Sequence, residues 1–269
     1  MARLRDRAQC PYFGSPSASF VAWITRAQPK VAVLLSALYN SISMANRAYL
    51  RIWTREFSRE SMVAQFVRFL ATVPLSAPRN SFDNLVIQAI DPTETPVSEW
   101  DFREGTFGAP EVAAIAAQHI HEDTAYIVEA QWDLWTFESE TLKWKQGPQP
   151  LEIICRAREY DDGASASEGQ FSVDLGFEHL FTGHAGILAP GAASNPFDSS
   201  DHPIERTFRQ WMSVEANRRE YAAKTRENIQ QLFSWIESIE RALPVERNEL
   251  WSEGEENFEA RLDAILGQR

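Results

Sequence analysis

Carboxylates and guanidinium groups at alternate positions are the residues whose types and spacing suit acid–base work. In "TAYIVEAQWDLW", "LEIICRARE" and "QFSVDLGFE" the polar set is Glu129, Gln131 and Asp133, then Glu152, Arg156 and Arg158, then Ser172 and Asp174. Carboxylates beside arginines on one sheet face can hold a polar ligand, or exchange protons with it under a covering lid. Glu129, Asp133, Arg156, Arg158 and Asp174 are therefore the candidate site of a hydrolase-like enzyme. Pairing of opposite charges across strands explains the same residues with no ligand at all.

A second set is "NRAYLRIWTREFSRE", with an arginine at every fourth position: Arg47, Arg51, Arg55 and Arg59. On a helix a step of four residues turns about 400°, so the four would form one oblique ridge about 18 Å long. Guanidinium forks pair well with phosphate and carboxylate, which makes the ridge an interaction surface for an acidic partner. A solvated face paired with Glu56 and Glu60, or docking on acidic helices of the same chain, accounts for it as well.

Other chemistry finds little footing. His119 and His121, two apart, diverge on a helix and share a face on a strand. His179, His184 and His202 surround a glycine-rich loop. There is no HExxH, no CxxC pair and no Cys–His cluster, so no metal is expected. No G-x-S-x-G elbow, Walker loop or Rossmann glycine pattern occurs, and no cofactor is expected. "EYDDGASASEG" is acidic but lacks the EF-hand spacing. Cys10 and Cys155 are too few for a disulfide framework, which suits a reduced, cytoplasmic compartment. Cys155 falls on the apolar side of its run.

The elements that must position these residues are set by periodicity. Three runs between 124 and 178 alternate apolar and polar side chains, which predicts strands with one buried face in an antiparallel meander. The inward residues are Tyr126, Val128, Ala130, Trp132 and Leu134; Leu151, Ile153, Cys155 and Ala157; and Phe171, Val173, Leu175 and Phe177. "KQGPQP" and "YDDGASASEG" read as the connections. Upstream, Pro29 suits a first helical turn, and no Pro or Gly follows until Pro74. Helix is expected from Lys30 to about Leu70, with a break allowed near "YNSIS" and "VAVLLSAL" as an alternative buried strand. "NLVIQAI" predicts one strand before a long loop, and Pro110 opens a helix at "PEVAAIAAQHI". Asp201 and Pro203 suit a helix start, and that helix is expected to run to Leu243. Its apolar stripe of Ile229, Leu232, Phe233, Ile236, Ile239 and Leu243 reads as a helix–helix seam. "ENFEARLDAIL" predicts a final helix folding back.

The expectation is an α+β fold: an N-terminal helical region, a central antiparallel meander of at least three strands, and a C-terminal long helix and helical hairpin. Residues 1–28 form an irregular lead-in, 29–183 the helical and sheet region, 184–200 a linker, and 201–269 the helical hairpin, packed on the sheet as one domain. The 269 residues allow a sizeable core, and 44% apolar content marks a globular chain.

The net charge of −12 conceals a split: residues 1–70 carry +7 and the rest −19. A molecule so acidic repels phosphate, which argues against nucleic acid. No run is long enough to span a bilayer. The function these features fit is a non-catalytic cytosolic interaction protein, an inhibitor or immunity-type binder with a protein partner or a second copy of itself. A homodimer would use the C-terminal seam.

Overall fold

The computed structural model describes residues 46–184, 188 and 203–267. The expected lead-in at 1–28, the helix start at Pro29, "VAVLLSAL", Cys10, Asp201 and His202 lie outside them, as does nearly all of the expected linker. The described residues belong to one compact unit, 46–269. In chain order it contains β1 (Arg47–Thr54), α1 (Arg59–Leu70), β2 (Asn84–Ala89), β3 (Ser98–Asp101), α2 (Ala109–Ala116), β4 (Thr124–Glu138) and β5 (Lys143–Arg156). The short α3 (Ser165–Glu168), β6 (Phe171–Phe177), the short α4 (His179–Thr182), α5 (Pro203–Met212), α6 (Glu215–Ala242), β7 (Val245–Ser252) and α7 (Phe258–Gly267) complete it. The fold is α+β, with a seven-stranded antiparallel sheet in the order β3-β2-β4-β5-β6-β1-β7.

The meander of β4, β5 and β6 stands as its alternation demands. All of its expected inward residues are buried except Phe177: β6 shifts register past Asp174, so Phe177 stands opposite Arg47 on the outer face, half-buried, with the guanidinium 5.5 Å from its ring centre. The helices cover this inner face. Phe69 of α1 stacks on Phe171 with ring centroids 4.7 Å apart, Phe66 lies 5.2 Å from Tyr126, and Trp235 of α6 lies 5.7 Å from Trp132. Each such ring removed from water contributes about 1.5–3 kcal/mol. Asn228 of α6 fixes the register of helix on sheet. Its side chain accepts from the Trp135 amide and donates to the carbonyls of Trp135 and Leu180.

Four expectations need correction. The segment from 47 is not helical until α1: "RAYLRIWT" forms β1, which buries Ala48, Leu50 and Ile52 and pairs on both sides. Its aromatic and β-branched residues favour a strand, and Ser58 starts α1 by exchanging bonds with Ser61 in a capping box. "KQGPQP" is not a turn but part of β5. Pro148 and Pro150 are tolerated because β5 meets β6 only from Glu152 onward, so the preceding stretch is an edge. The helix expected to reach Leu243 breaks at Ser213–Val214, where Val214 is extended and Asn217 donates to the Trp211 carbonyl at the end of α5. Finally, β7 separates α6 from α7, so the two are not a simple hairpin. The α6 seam packs on the sheet and neighbouring helices, with all its residues buried except the half-buried Phe233. It offers no dimer surface.

Close pairing of β6 with β1 depends on Gly169, whose φ is +84°. A Cβ there would stand 2.8 Å from the Ile52 carbonyl oxygen. No side chain fits.

Candidate functional site

The outer face of the sheet carries a row of residues placed by strand register. Asp101, Asn84, Glu129, Glu152, Asp174, Tyr49 and Trp251 lie opposite one another on β3, β2, β4, β5, β6, β1 and β7. Three of these, Glu129, Glu152 and Asp174, are carboxylates on successive strands. Like charges directly opposite are destabilising, and strands lie about 4.8 Å apart, so the three span about 10 Å. They line a half-open hollow of about 310 Å³ together with Arg47, Asp83 and Gln131.

The hollow's electrostatics are uneven. Arg47 Nε donates to Asp174 at 2.5 Å, and this bond raises the Arg47 pKa against the cost of burial. Asp83 pairs with Arg79 at 2.6 Å and accepts from Gln131. Glu152 has no such partner among the described residues. The residue is exposed and lines the hollow. Desolvation there pushes its pKa up, with Asp174 and then Glu129 adding to the shift. Among the described residues, no three His, Cys, Asp or Glu side chains gather closely enough to hold a metal ion. The negative charge is spread along the row instead of focused on a point.

Of the residues singled out for the sheet-face site, the structure brings Glu129 and Asp174 together and separates the others. Asp133 anchors the loop at 76–77, accepting from Ser76 Oγ at 2.5 Å and the Ala77 amide at 3.0 Å. Arg156 donates to Ser172 Oγ, and burial lowers its pKa. Arg158 is exposed beyond the end of β5.

The arginine ladder divides. Arg47 and Arg51 share the outer face of β1, since residues four apart lie on one side of a strand as they do on a helix. Arg47 enters the hollow. Arg51 pairs with Glu168 at 2.5 Å and lies 4.6 Å from the Trp251 ring centre. Arg55 follows the strand and Arg59 opens α1; both are exposed, without an ion pair among the described residues. The ridge expected of a continuous helix does not form.

Beside the hollow lies an aromatic and guanidinium layer hidden by the helical reading. Tyr49 stacks on Trp251 at 4.5 Å, and Arg247 lies 3.6 Å from the Trp53 ring centre. Tyr49 also donates to Glu253, and burial together with that bond pushes its pKa up to about 12. Asp83 and Asn84 were missed too, because neither stands out in sequence before β2 is paired with β4. Next to Phe177, on which His179 stacks at 5.6 Å, the rings of His179 and His184 lie 4.3 Å apart. Burial lowers their pKa values to about 3 and about 4. The Tyr221 hydroxyl meets His184 Nδ1 at 2.5 Å.

No protein-family model, curated protein or solved structure matches this chain. Among the described residues, no helix is long and apolar enough to cross a membrane.

Proposed function

We propose that this is a non-catalytic interaction protein, of the inhibitor or immunity type, that binds a basic protein on the outer face of its sheet. The carrying observation is the row Glu129–Glu152–Asp174, in which three carboxylates lie directly opposite and, among the described residues, only Asp174 has a cation of its own. Such a row costs stability in the free protein. A partner presenting lysine or arginine side chains would relieve that cost on binding, and an acidic molecule would draw it in by long-range attraction. Tyr49 and Trp251 continue the row, half-buried, and supply the rigid aromatic contacts that binding surfaces favour.

The test is capture from native lysate at low and moderate salt, comparing the wild type with Glu129→Gln/Glu152→Gln. Support would be one basic protein retained by the wild type, lost by the double variant at unchanged fold, and bound again when purified. A partner retained equally by both proteins would refute the reading.

One observation favours an enzyme as the second reading: Glu152, its pKa raised, stands opposite Asp174, which Arg47 holds. That is the environment of a general acid beside a fixed carboxylate. The half-open hollow is less suited to it, because water weakens the electrostatic contacts on which such catalysis depends. A hydrolytic activity abolished by Glu152→Gln alone would decide for the enzyme.

A further inference from the structure

We infer that β7 is a self-recognition edge, through which two copies of the chain join their sheets about a two-fold axis at Asn248. β7 ends the strand order, and no strand among the described residues pairs with its outer side. The two edges of the sheet differ. β3 has four residues and follows soon after Pro96, which blunts it; β7 has eight residues.

The direction of its backbone groups is given by one bond and the register. The Glu253 amide donates to the Arg47 carbonyl, and the ladder runs without a shift from Ala48↔Ser252 to Trp53↔Arg247. In an antiparallel ladder the bonded pairs alternate. Arg247, Glu249 and Trp251 therefore turn their amides and carbonyls toward β1. Asn248 and Leu250 turn theirs outward, away from the sheet.

An antiparallel second copy centred on Asn248 matches this parity. Asn248 then exchanges two backbone bonds with its own counterpart. Arg247 of each copy falls opposite Glu249 of the other, on the outer face, so the axis creates two identical pairs of opposite charge. Such self-complementarity is what a two-fold interface requires. Both residues are exposed, and neither has an ion pair among the described residues. Centring the axis on Leu250 also satisfies the backbone, but it sets Glu249 against Trp251 and Arg247 against Glu253, whose carboxylate already accepts from the Arg47 amide and the Tyr49 hydroxyl. Asn248 is the register that charge selects.

The joined sheets would have fourteen strands, from seven in each copy, with both hollows on one continuous face. Dimerisation through β7 is independent of what the hollows bind.

Sedimentation velocity over a range of concentrations tests it on the full chain, using the wild type, Arg247→Glu, Glu249→Arg and the double exchange. The wild type should dimerise. Each single exchange turns two attractive pairs into two repulsive ones and should weaken the dimer on the order of thirtyfold. The double exchange restores opposite charges and should restore the dimer. Far-ultraviolet circular dichroism confirms that the single variants are folded. A monomeric wild type, single variants that dimerise like the wild type, or a double exchange that fails to rescue would each overturn the proposal.

Discussion

Replacing Glu152 by glutamine should make the protein more stable while weakening its binding. Glu152 is the middle carboxylate of the row and faces Glu129 on one side and Asp174 on the other. Glutamine keeps its length and removes its charge, so two repulsive cross-strand pairs vanish together. Each such pair costs about 0.2–1 kcal/mol. Because water reaches Glu152, the lower half of that range applies, and the expected gain is about 0.5–1 kcal/mol at pH 7. For a unit of this size that is a rise of about 1–4 °C in Tm. The pH dependence has a fixed sign. The Glu152 pKa is raised in the fold, so the folded state holds the proton more tightly than the unfolded one. Its destabilising effect is absent below the ordinary glutamate value and grows as pH rises through that value toward the folded one. The advantage of Glu152→Gln should therefore be full at neutral pH and vanish in acid. Urea titrations of both proteins from neutral to acid pH, with paired measurements of Tm, supply the assay. A variant less stable than the wild type at pH 7, or a gain that persists unchanged in acid, would refute the electrostatic account of the row.

Other substitutions test the frame that holds the site. Asn228→Ala leaves the Trp135 amide and the Trp135 and Leu180 carbonyls without their bonds; it should cost about 2–4 kcal/mol in urea denaturation. Arg47→Gln removes a cation paired with Asp174 and should cost about 1 kcal/mol. Arg55→Gln and Arg59→Gln, at exposed positions, should each change stability by less than about 0.5 kcal/mol. His179 and His184 should set the acid limit. Their folded pKa values, about 3 and about 4, lie below the ordinary 6.5, so their stabilising effect is complete above that value and declines as pH falls through it. His179→Phe should flatten this decline in a plot of urea midpoint against pH.

Much of the sheet was legible because period-two alternation admits little else. Fifteen residues of β4 bury every second side chain over most of their length, and no helix does that. β1 escaped notice because its most conspicuous feature, arginines four apart, is equally compatible with strand and helix. The decisive pattern was Ala48, Leu50 and Ile52 between them, which the ladder obscured. β7 escaped for a different reason. "VERNELWS" has only Leu250 and Ser252 buried, since an edge strand with one solvated face has little apolar signal to show. Its pairing with β1, about two hundred residues away in sequence, is a tertiary fact.

The candidate site was half legible on the same grounds. Alternation places Glu129, Glu152 and Asp174 on one face of three strands, but it does not say which residues stand opposite. A shift of one residue in any strand would have turned its carboxylate into the core, and a shift of two would have set Glu152 beside Gln131, with an amide in place of a charge. Only the register makes the three a row. Register is fixed by distant contacts such as Phe69 on Phe171 and Trp235 on Trp132, which the local pattern does not contain. Asp133 has the same parity as Glu129 and also carries a carboxylate, yet its position along β4 gives it a different task. It bonds Ser76 and Ala77 and holds a loop in place. Asp133→Asn should therefore destabilise the protein, whereas Glu152→Gln should stabilise it, and the opposite signs distinguish a carboxylate kept for structure from one kept for binding.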